Sequence, residues 1–257
     1  MRTVAIIQAS MGSQRLPGKT MADVCGKPML ARVVERAQRA RLVDEIIVAT
    51  TDGLIDAPIA DWCVANNVPC YCCGVYLRPG KGDLLATYYE AALWRQADVI
   101  VRITADCPLV DAAIIDAVVG ARDATGVAYC SNVYPPTYPD GLDVEAVAFS
   151  TLEKAHHDAV LPSDREHVTP FIRRHCIDWP PGVVNIQCYP ALFALRWTVD
   201  EAADLEFVRA VYAELGEVPF GMAEVLELLA RRPELRQINA GIQRNEGYAK
   251  SVQGDTA

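Results

Sequence analysis

No apolar run in the 257-residue chain approaches the ~20 residues needed to cross a bilayer. Met1-Arg2-Thr3 leads straight into a strand-like stretch, with none of the layout of a signal peptide. The expectation is a cytoplasmic protein without a membrane partner. Excess positive charge is missing as well: 24 Lys and Arg against 33 Asp and Glu leave a net charge of −9, which argues against a nucleic-acid partner. Any anion site must therefore be local. Zinc-finger spacing is absent, since no Cys-x-x-Cys pair recurs with a histidine partner. The nine cysteines, an odd number in apolar contexts, predict reduced buried thiols rather than a disulfide framework, including Cys63 and Cys70-Tyr71-Cys72-Cys73. Internal repeats and low-complexity segments are lacking too.

A true P-loop is also missing. Gly12 and Gly18-Lys19-Thr20 approach the pattern, but five residues separate the glycines where the motif has four. Gly26 and Pro28 then break any helix that would start at the lysine.

What is present is an alternation of strand and helix. With 51% hydrophobic residues the chain can bury a substantial core, and its length suits a single domain over residues 1–245 with a polar tail at 246–257. Val4 to Ile7 is an apolar run ending in the loop Gln8-Ala9-Ser10-Met11-Gly12-Ser13-Gln14-Arg15-Leu16-Pro17-Gly18-Lys19. Small residues there let main-chain N–H groups approach an anion, and Arg15 and Lys19 add positive charge, so the loop reads as a phosphate cradle. Pro28 suits the first position of a helix bearing Leu30, Val33, Val34 and Ala37. Strands follow at 45–50, 68–72 and 98–103, with helices at 55–66, 83–96 and after the cap Asp111. The strand at 98–103 is almost continuously apolar, as one covered on both faces should be. It leaves Asp106 at its carboxyl end, the edge where open α/β sheets bind ligands.

Past Tyr129 the rhythm changes. A Pro/Tyr-rich loop at 134–141 precedes an alternating, half-buried strand over 142–149, expected to be antiparallel and to serve as the pairing region of a homodimer. Ser150 and Glu153 spell a capping box. Further on come a helix over 165–175, strands at 183–188 and 195–199 with Asp200 at the end of the latter, helices carrying Leu205 to Leu215 and Met222 to Leu229, and a frayed end from Ser251. His167 reads as a structural histidine and Glu166 as a first-turn acid, while His156-His157 is assigned no metal.

Several motifs occur in fixed order: Gly12-Ser13-Gln14-Arg15-Leu16-Pro17-Gly18-Lys19 with Gly26-Lys27-Pro28-Met29-Leu30, Arg102-Ile103-Thr104-Ala105-Asp106-Cys107-Pro108-Leu109, Tyr138-Pro139-Asp140-Gly141-Leu142-Asp143-Val144-Glu145, Arg165-Glu166-His167-Val168-Thr169-Pro170, and Trp197-Thr198-Val199-Asp200 with Asp204-Leu205. Together, over about residues 3–245, they resemble the cytidylyltransferase-like proteins of spore-coat polysaccharide biosynthesis. More distantly the opening loop is similar to that of CMP-sialic acid and CMP-Kdo synthetases. The resemblance implies an α/β, three-layer Rossmann-like nucleotidyltransferase fold with a mostly parallel central sheet and a small antiparallel extension.

It also implies cytidylyl transfer from CTP to an acidic sugar, sugar phosphate or similar small acceptor, with Mg²⁺ as cofactor. On that carry-over Ala9, Ser10, Gly12, Ser13, Arg15 and Lys19 hold the triphosphate, with Lys27 assisting. Arg15, Lys19 and Asp106 act in catalysis, Asp106 and Asp200 ligate the metal, and Tyr138, Asp143 and Glu145 face the acceptor. Two departures stand out. The family usually has arginine where this chain has Ser10, and an acidic segment where this chain has Pro79-Gly80-Lys81-Gly82-Asp83. The alternatives are a nucleotide-sugar-dependent glycosyltransferase, disfavoured because Cys107-Pro108 follows Asp106 where an Asp-x-Asp is usual, and a non-catalytic nucleotide-binding protein.

Overall fold

The computed structural model describes residues 1–74, 82–175, 182–242, 244 and 246–255. Pro79 to Lys81 lie outside the described residues. Strand β1 (Thr3–Gln8) leads through the glycine-bearing loop to a two-strand ribbon, β2 (Asp23–Val24) and β3 (Lys27–Pro28), then to α1 (Met29–Ala37), β4 (Glu45–Thr51), α2 (Ala57–Ala65) and β5 (Cys70–Cys73). Next come α3 (Leu84–Trp94), β6 (Val99–Thr104) and α4 (Ala112–Thr125). β1 pairs in parallel with both β4 and β6, and β4 with β5. Alternate residues of β1 enter different cores, Ala5 and Ile7 on one face and Val4 and Ile6 on the other. Period-two packing with both faces covered is why these strands read as continuous apolar runs.

The second half contributes β7 (Tyr129–Ser131), β8 (Glu145–Ala148), α5 (Phe149–Asp158), α6 (Pro162–His167), α7 (Pro170–His175) and β9 (Val183–Asn185). Helices α8 (Ala202–Leu215), α9 (Met222–Arg231) and α10 (Glu246–Gly254) follow. The seven-strand order is β5-β4-β1-β6-β8-β7-β9. β8 is antiparallel as expected, but it lies inside the sheet, bonded to β6 on one side and β7 on the other. It therefore presents no open edge to a second copy of the chain.

The helix expected over 165–175 is two helices, because Val168 takes φ 72° and Pro170 restarts the chain. Residues 195–199 form no strand, only an isolated bridge between Asp140 and Arg196. That bridge is tight: Gly141 has φ 105°, and a Cβ there would lie 2.5 Å from the Thr198 nitrogen. Ser150 caps nothing, since α5 starts at Phe149 after Ala148. Pro28 precedes α1 as its cap rather than opening it. The segment Glu246–Gly254 is helical and its end is docked, with Ser163 N–H donating to Asp255 (3.0 Å) and Ser251 Oγ donating to Glu166 (2.8 Å). Among the described residues no helix is long and apolar enough to cross a membrane.

Candidate active site

The loop after β1 is held open from beneath by one buried carboxylate. Asp56 accepts from the Met11 N–H (2.7 Å), the Ser10 hydroxyl (3.3 Å) and the Thr51 hydroxyl (2.6 Å). Ser10 Oγ in turn accepts from the Gly12 N–H (3.1 Å), and its carbonyl accepts from the Thr20 hydroxyl (2.6 Å). Ser10 thus braces the loop. Ala9 is buried and its N–H donates to the Ala49 carbonyl (2.9 Å), which ties the start of the loop to the sheet. The Ser13 hydroxyl accepts from the Leu16 N–H (3.3 Å). Gly18, at φ 74°, turns the chain so that Lys19 points back over the sheet edge.

Lys19 is where the acids converge. Its ammonium donates to Asp106 Oδ2 (2.9 Å), Asp200 Oδ1 (2.8 Å) and the Val199 carbonyl (2.7 Å). Arg15 pairs with the same Asp200 oxygen at 3.0 Å. Burial works to lower the lysine pKa, but the charges of Asp106 and Asp200 outweigh it and raise it above the ordinary value. Burial likewise works against the Asp106 anion, yet the Lys19 charge and hydrogen bonds bring that carboxyl down to about 2. The two aspartates arrive from distant positions, one after β6 and one before α8. They are locked together by Val199 N–H donating to the Asp106 carbonyl (2.8 Å).

Asp200 is not a helix cap. That place belongs to Glu201, in a capping box with Asp204. A network behind it orients Asp200: Arg196 Nη2 lies 3.0 Å from its Oδ2, while Arg196 Nε grips the fully buried Asp204 at 2.8 Å. Asp204 also accepts from the Asp200 N–H (2.9 Å) and the Asn239 side chain (2.9 Å).

A divalent cation fits this donor set in kind. Two hard carboxylates already flank one cation, the Lys19 ammonium, and Mg²⁺ commonly uses one or two carboxylates with waters and phosphate oxygens completing its shell.

Beside this cluster lies a cavity of about 390 Å³ walled by Arg102, Arg173, Arg174 and Arg244, with Asp143, Glu145, His167 and Tyr248. Asp143 pairs with Arg244 at 2.6 Å. Glu145 is locked: Arg102, its cross-strand neighbour, lies 2.8 Å away and Tyr129 donates a hydrogen bond to it at 2.5 Å. Burial opposes the Glu145 charge, but the Arg102 charge wins and lowers its pKa. Tyr138 does not join the two acids at the cavity. Its ring packs on the core while its carbonyl accepts from Arg244 (3.2 Å). Lys27 is elsewhere too, clamped by Glu35 (2.8 Å) and Glu217 (3.4 Å).

The sequence model of the cytidylyltransferase family matches residues 4–214. The chain belongs to this family. The spore coat polysaccharide biosynthesis protein SpsF of Bacillus subtilis is 28% identical over 240 residues, 89% of this chain and 94% of its own. A 3-deoxy-manno-octulosonate cytidylyltransferase of Anaeromyxobacter dehalogenans is 40% identical over 131 residues, about half of either chain. A solved cytidylyltransferase structure from Leptospira borgpetersenii superposes with a TM-score of 0.85 at 27% identity, covering 95% of this chain and 100% of that one.

Within this cytidylyltransferase, Arg196, Arg244 and Tyr248 escaped sequence reasoning, and Asp204, though part of a quoted motif, was given no role. Arg196 sits inside an apolar run beside Trp197, where only its four-residue spacing from the acids at 200 and 204 is a signal. Arg244 and Tyr248 lie beyond the family match, Arg244 at the end of the expected domain and Tyr248 in what reads as a tail.

Asp140 joins the two halves of the site, with Arg196 at 3.1 Å and Arg244 at 3.6 Å. Burial, offset in part by Arg244, raises its carboxyl from 3.8 to about 6. The folded state then holds an extra proton between these two values, so the stabilisation is complete below the lower and disappears as pH rises through the upper. In urea unfolding, the stability of wild type relative to D140N should be greater at pH 4.5 than at pH 7 by about 2 kcal/mol. A difference independent of pH would contradict this.

Proposed function

We propose that this cytidylyltransferase moves the cytidylyl group of CTP onto an acidic sugar, a sugar phosphate or a similar anionic small acceptor, with Mg²⁺ as cofactor. An acceptor oxygen forms a bond to the α-phosphorus, the bond to the β-phosphate oxygen breaks, the acceptor loses its proton, and pyrophosphate leaves. The product enters surface polysaccharide assembly, the pathway for which the Bacillus relative is named.

The observation that carries the reading is convergence: Lys19 touches both Asp106 and Asp200 while Arg15 touches Asp200, at the carboxyl edge of the parallel strands. Asp106 and Asp200 would hold the magnesium ion, which when bound supplies charge neutralisation to the phosphate oxygens. Lys19 and Arg15 supply fixed positive charge to the same oxygens, so transfer proceeds by positioning and electrostatics without a covalent protein nucleophile. The four arginines of the neighbouring cavity suit an acceptor that carries negative charge, and Asp143, at the wall, suits its hydroxyl groups.

The experiment is a melting series with CTP, UTP, ATP and GTP, with and without Mg²⁺, followed by pyrophosphate assays over a panel of acidic sugars and sugar phosphates. At a hundredfold excess over Kd, CTP with Mg²⁺ should raise Tm by roughly 5 °C. Equal stabilisation by all four nucleotides, or no pyrophosphate from any acceptor, would overturn the reading.

A further inference from the structure

Between the cavity and Lys19 runs an unbroken chain of opposite charges. Asp143 meets Arg244 at 2.6 Å, Arg244 meets Asp140 at 3.6 Å, Asp140 meets Arg196 at 3.1 Å, Arg196 meets Asp200 at 3.0 Å, and Asp200 meets Lys19 at 2.8 Å. Asp140 is the divided member: Oδ1 faces Arg244 and Oδ2 faces Arg196. Its peptide is fixed by Asp140 N–H donating to the Leu195 carbonyl (2.8 Å) and Trp197 N–H donating to the Asp140 carbonyl (2.6 Å), which pins its backbone beside Arg196. Arg196 is anchored on Asp204 and pairs with both Asp140 and Asp200.

The contact between Arg244 and Asp140 is the loose one. The buried Arg244 Nε has no hydrogen-bond partner among the described residues, whereas the other end of its guanidinium is held at the cavity by Asp143 and the Tyr138 carbonyl. If Arg244 is taken away, Asp140 is left with Arg196 alone and draws more of its charge. Asp200 then loses part of its compensation and becomes a better partner for a cation. If Asp140 is neutralised instead, Arg196 gives more of its charge to Asp200, which becomes a poorer one.

We propose that Arg244 is a positioning residue for Asp200, acting through Asp140 and Arg196, and that its hold on Asp140 weakens metal-assisted nucleotide binding at the Lys19 cluster. The inference rests on the reading of Asp106 and Asp200 as the magnesium carboxylates. An acceptor anion that draws Arg244 into the cavity acts as its removal does, so acceptor and metal–nucleotide binding reinforce one another.

The test is calorimetric titration of CTP at fixed Mg²⁺ into wild type, R244Q, D140N and the double variant. R244Q should bind about fivefold tighter and D140N about fivefold weaker, in the range of ordinary coupling between sites. The double variant should match D140N, because Arg244 acts only through Asp140. R244K, which keeps the cation, should stay within about twofold of wild type. An additive double variant would overturn the relay, since two charges acting independently through space give the same signs but no interaction.

Because Asp140 is buried, Asp143 supplies a second cycle at the cavity wall. D143N alone should weaken binding by freeing Arg244 toward Asp140, and R244Q with D143N should match R244Q; additivity there would likewise sink the relay. Should wild type show no Mg²⁺-dependent CTP binding, the magnesium reading itself fails and the relay with it. Binding by wild type with additive cycles removes the relay alone.

Discussion

Replacing Lys19 by methionine is expected to lower kcat/KM for nucleotidyl transfer about a thousandfold, or about 4 kcal/mol of transition-state stabilisation, while the fold survives. The side chain makes three polar contacts within 3 Å, two of them to carboxylates that come from the turn after β6 and from the segment before α8. Methionine fills similar space but offers no charge to a phosphate oxygen, and it leaves Asp106 and Asp200 to face each other without their shared cation. A second signature separates this from general damage. With Lys19 gone, the Asp106 carboxyl should titrate well above its value of about 2, since the lysine is what overcomes the penalty of burial. Both can be read on one preparation, by steady-state kinetics and by carboxyl-carbon NMR against pH. A variant within tenfold of wild type, or one whose Asp106 still titrates at its original value, would refute the role assigned to the ammonium.

The largest loss of stability is expected at Gly141. An alanine there must hold φ 105°, and its methyl carbon would stand 2.5 Å from the Thr198 nitrogen and 2.6 Å from the Trp197 carbonyl carbon. Neither obstacle is the end of a flexible side chain, so the backbone must move. G141A should lose at least about 4 kcal/mol, at the extreme of single substitutions. The damage should reach function, because the displaced segment carries Asp200 three residues beyond Trp197. Urea midpoints for G141A and for a control such as G254A, where an added Cβ meets nothing within 4 Å, would show it. If the two variants unfolded together, the close approach of these two backbones would have no energetic weight.

The parallel half of the sheet was legible because apolar periodicity there reports burial directly: Val4 to Ile7 and Val99 to Ile103 are covered on both faces by helices that the same pattern predicts. The site was legible in part for a related reason. Asp106 and Asp200 follow apolar runs that end at one edge, and Lys19 follows a loop whose small residues signal close backbone approach. Legibility failed where pairing is non-local. Glu145 reads as a residue on a half-solvated strand, yet β8 is interior and the carboxylate faces Arg102 across the ladder. Leu195 to Val199 has strand composition but is fixed by the Asp140 bridge and buried ion pairs, which no periodicity encodes. Lys27 is expected at the phosphates from the resemblance alone, but Glu35 and Glu217 occupy its ammonium.

The interior position of β8 also dictates the order in which the molecule can be completed during synthesis. When β1, β4, β5 and β6 have left the ribosome, one flank of β6 is still bare, and it stays so until residues 145–148 emerge some forty positions later. Nascent chains shorter than that carry an apolar strand with unpaired amides, a template for sticking to a neighbour.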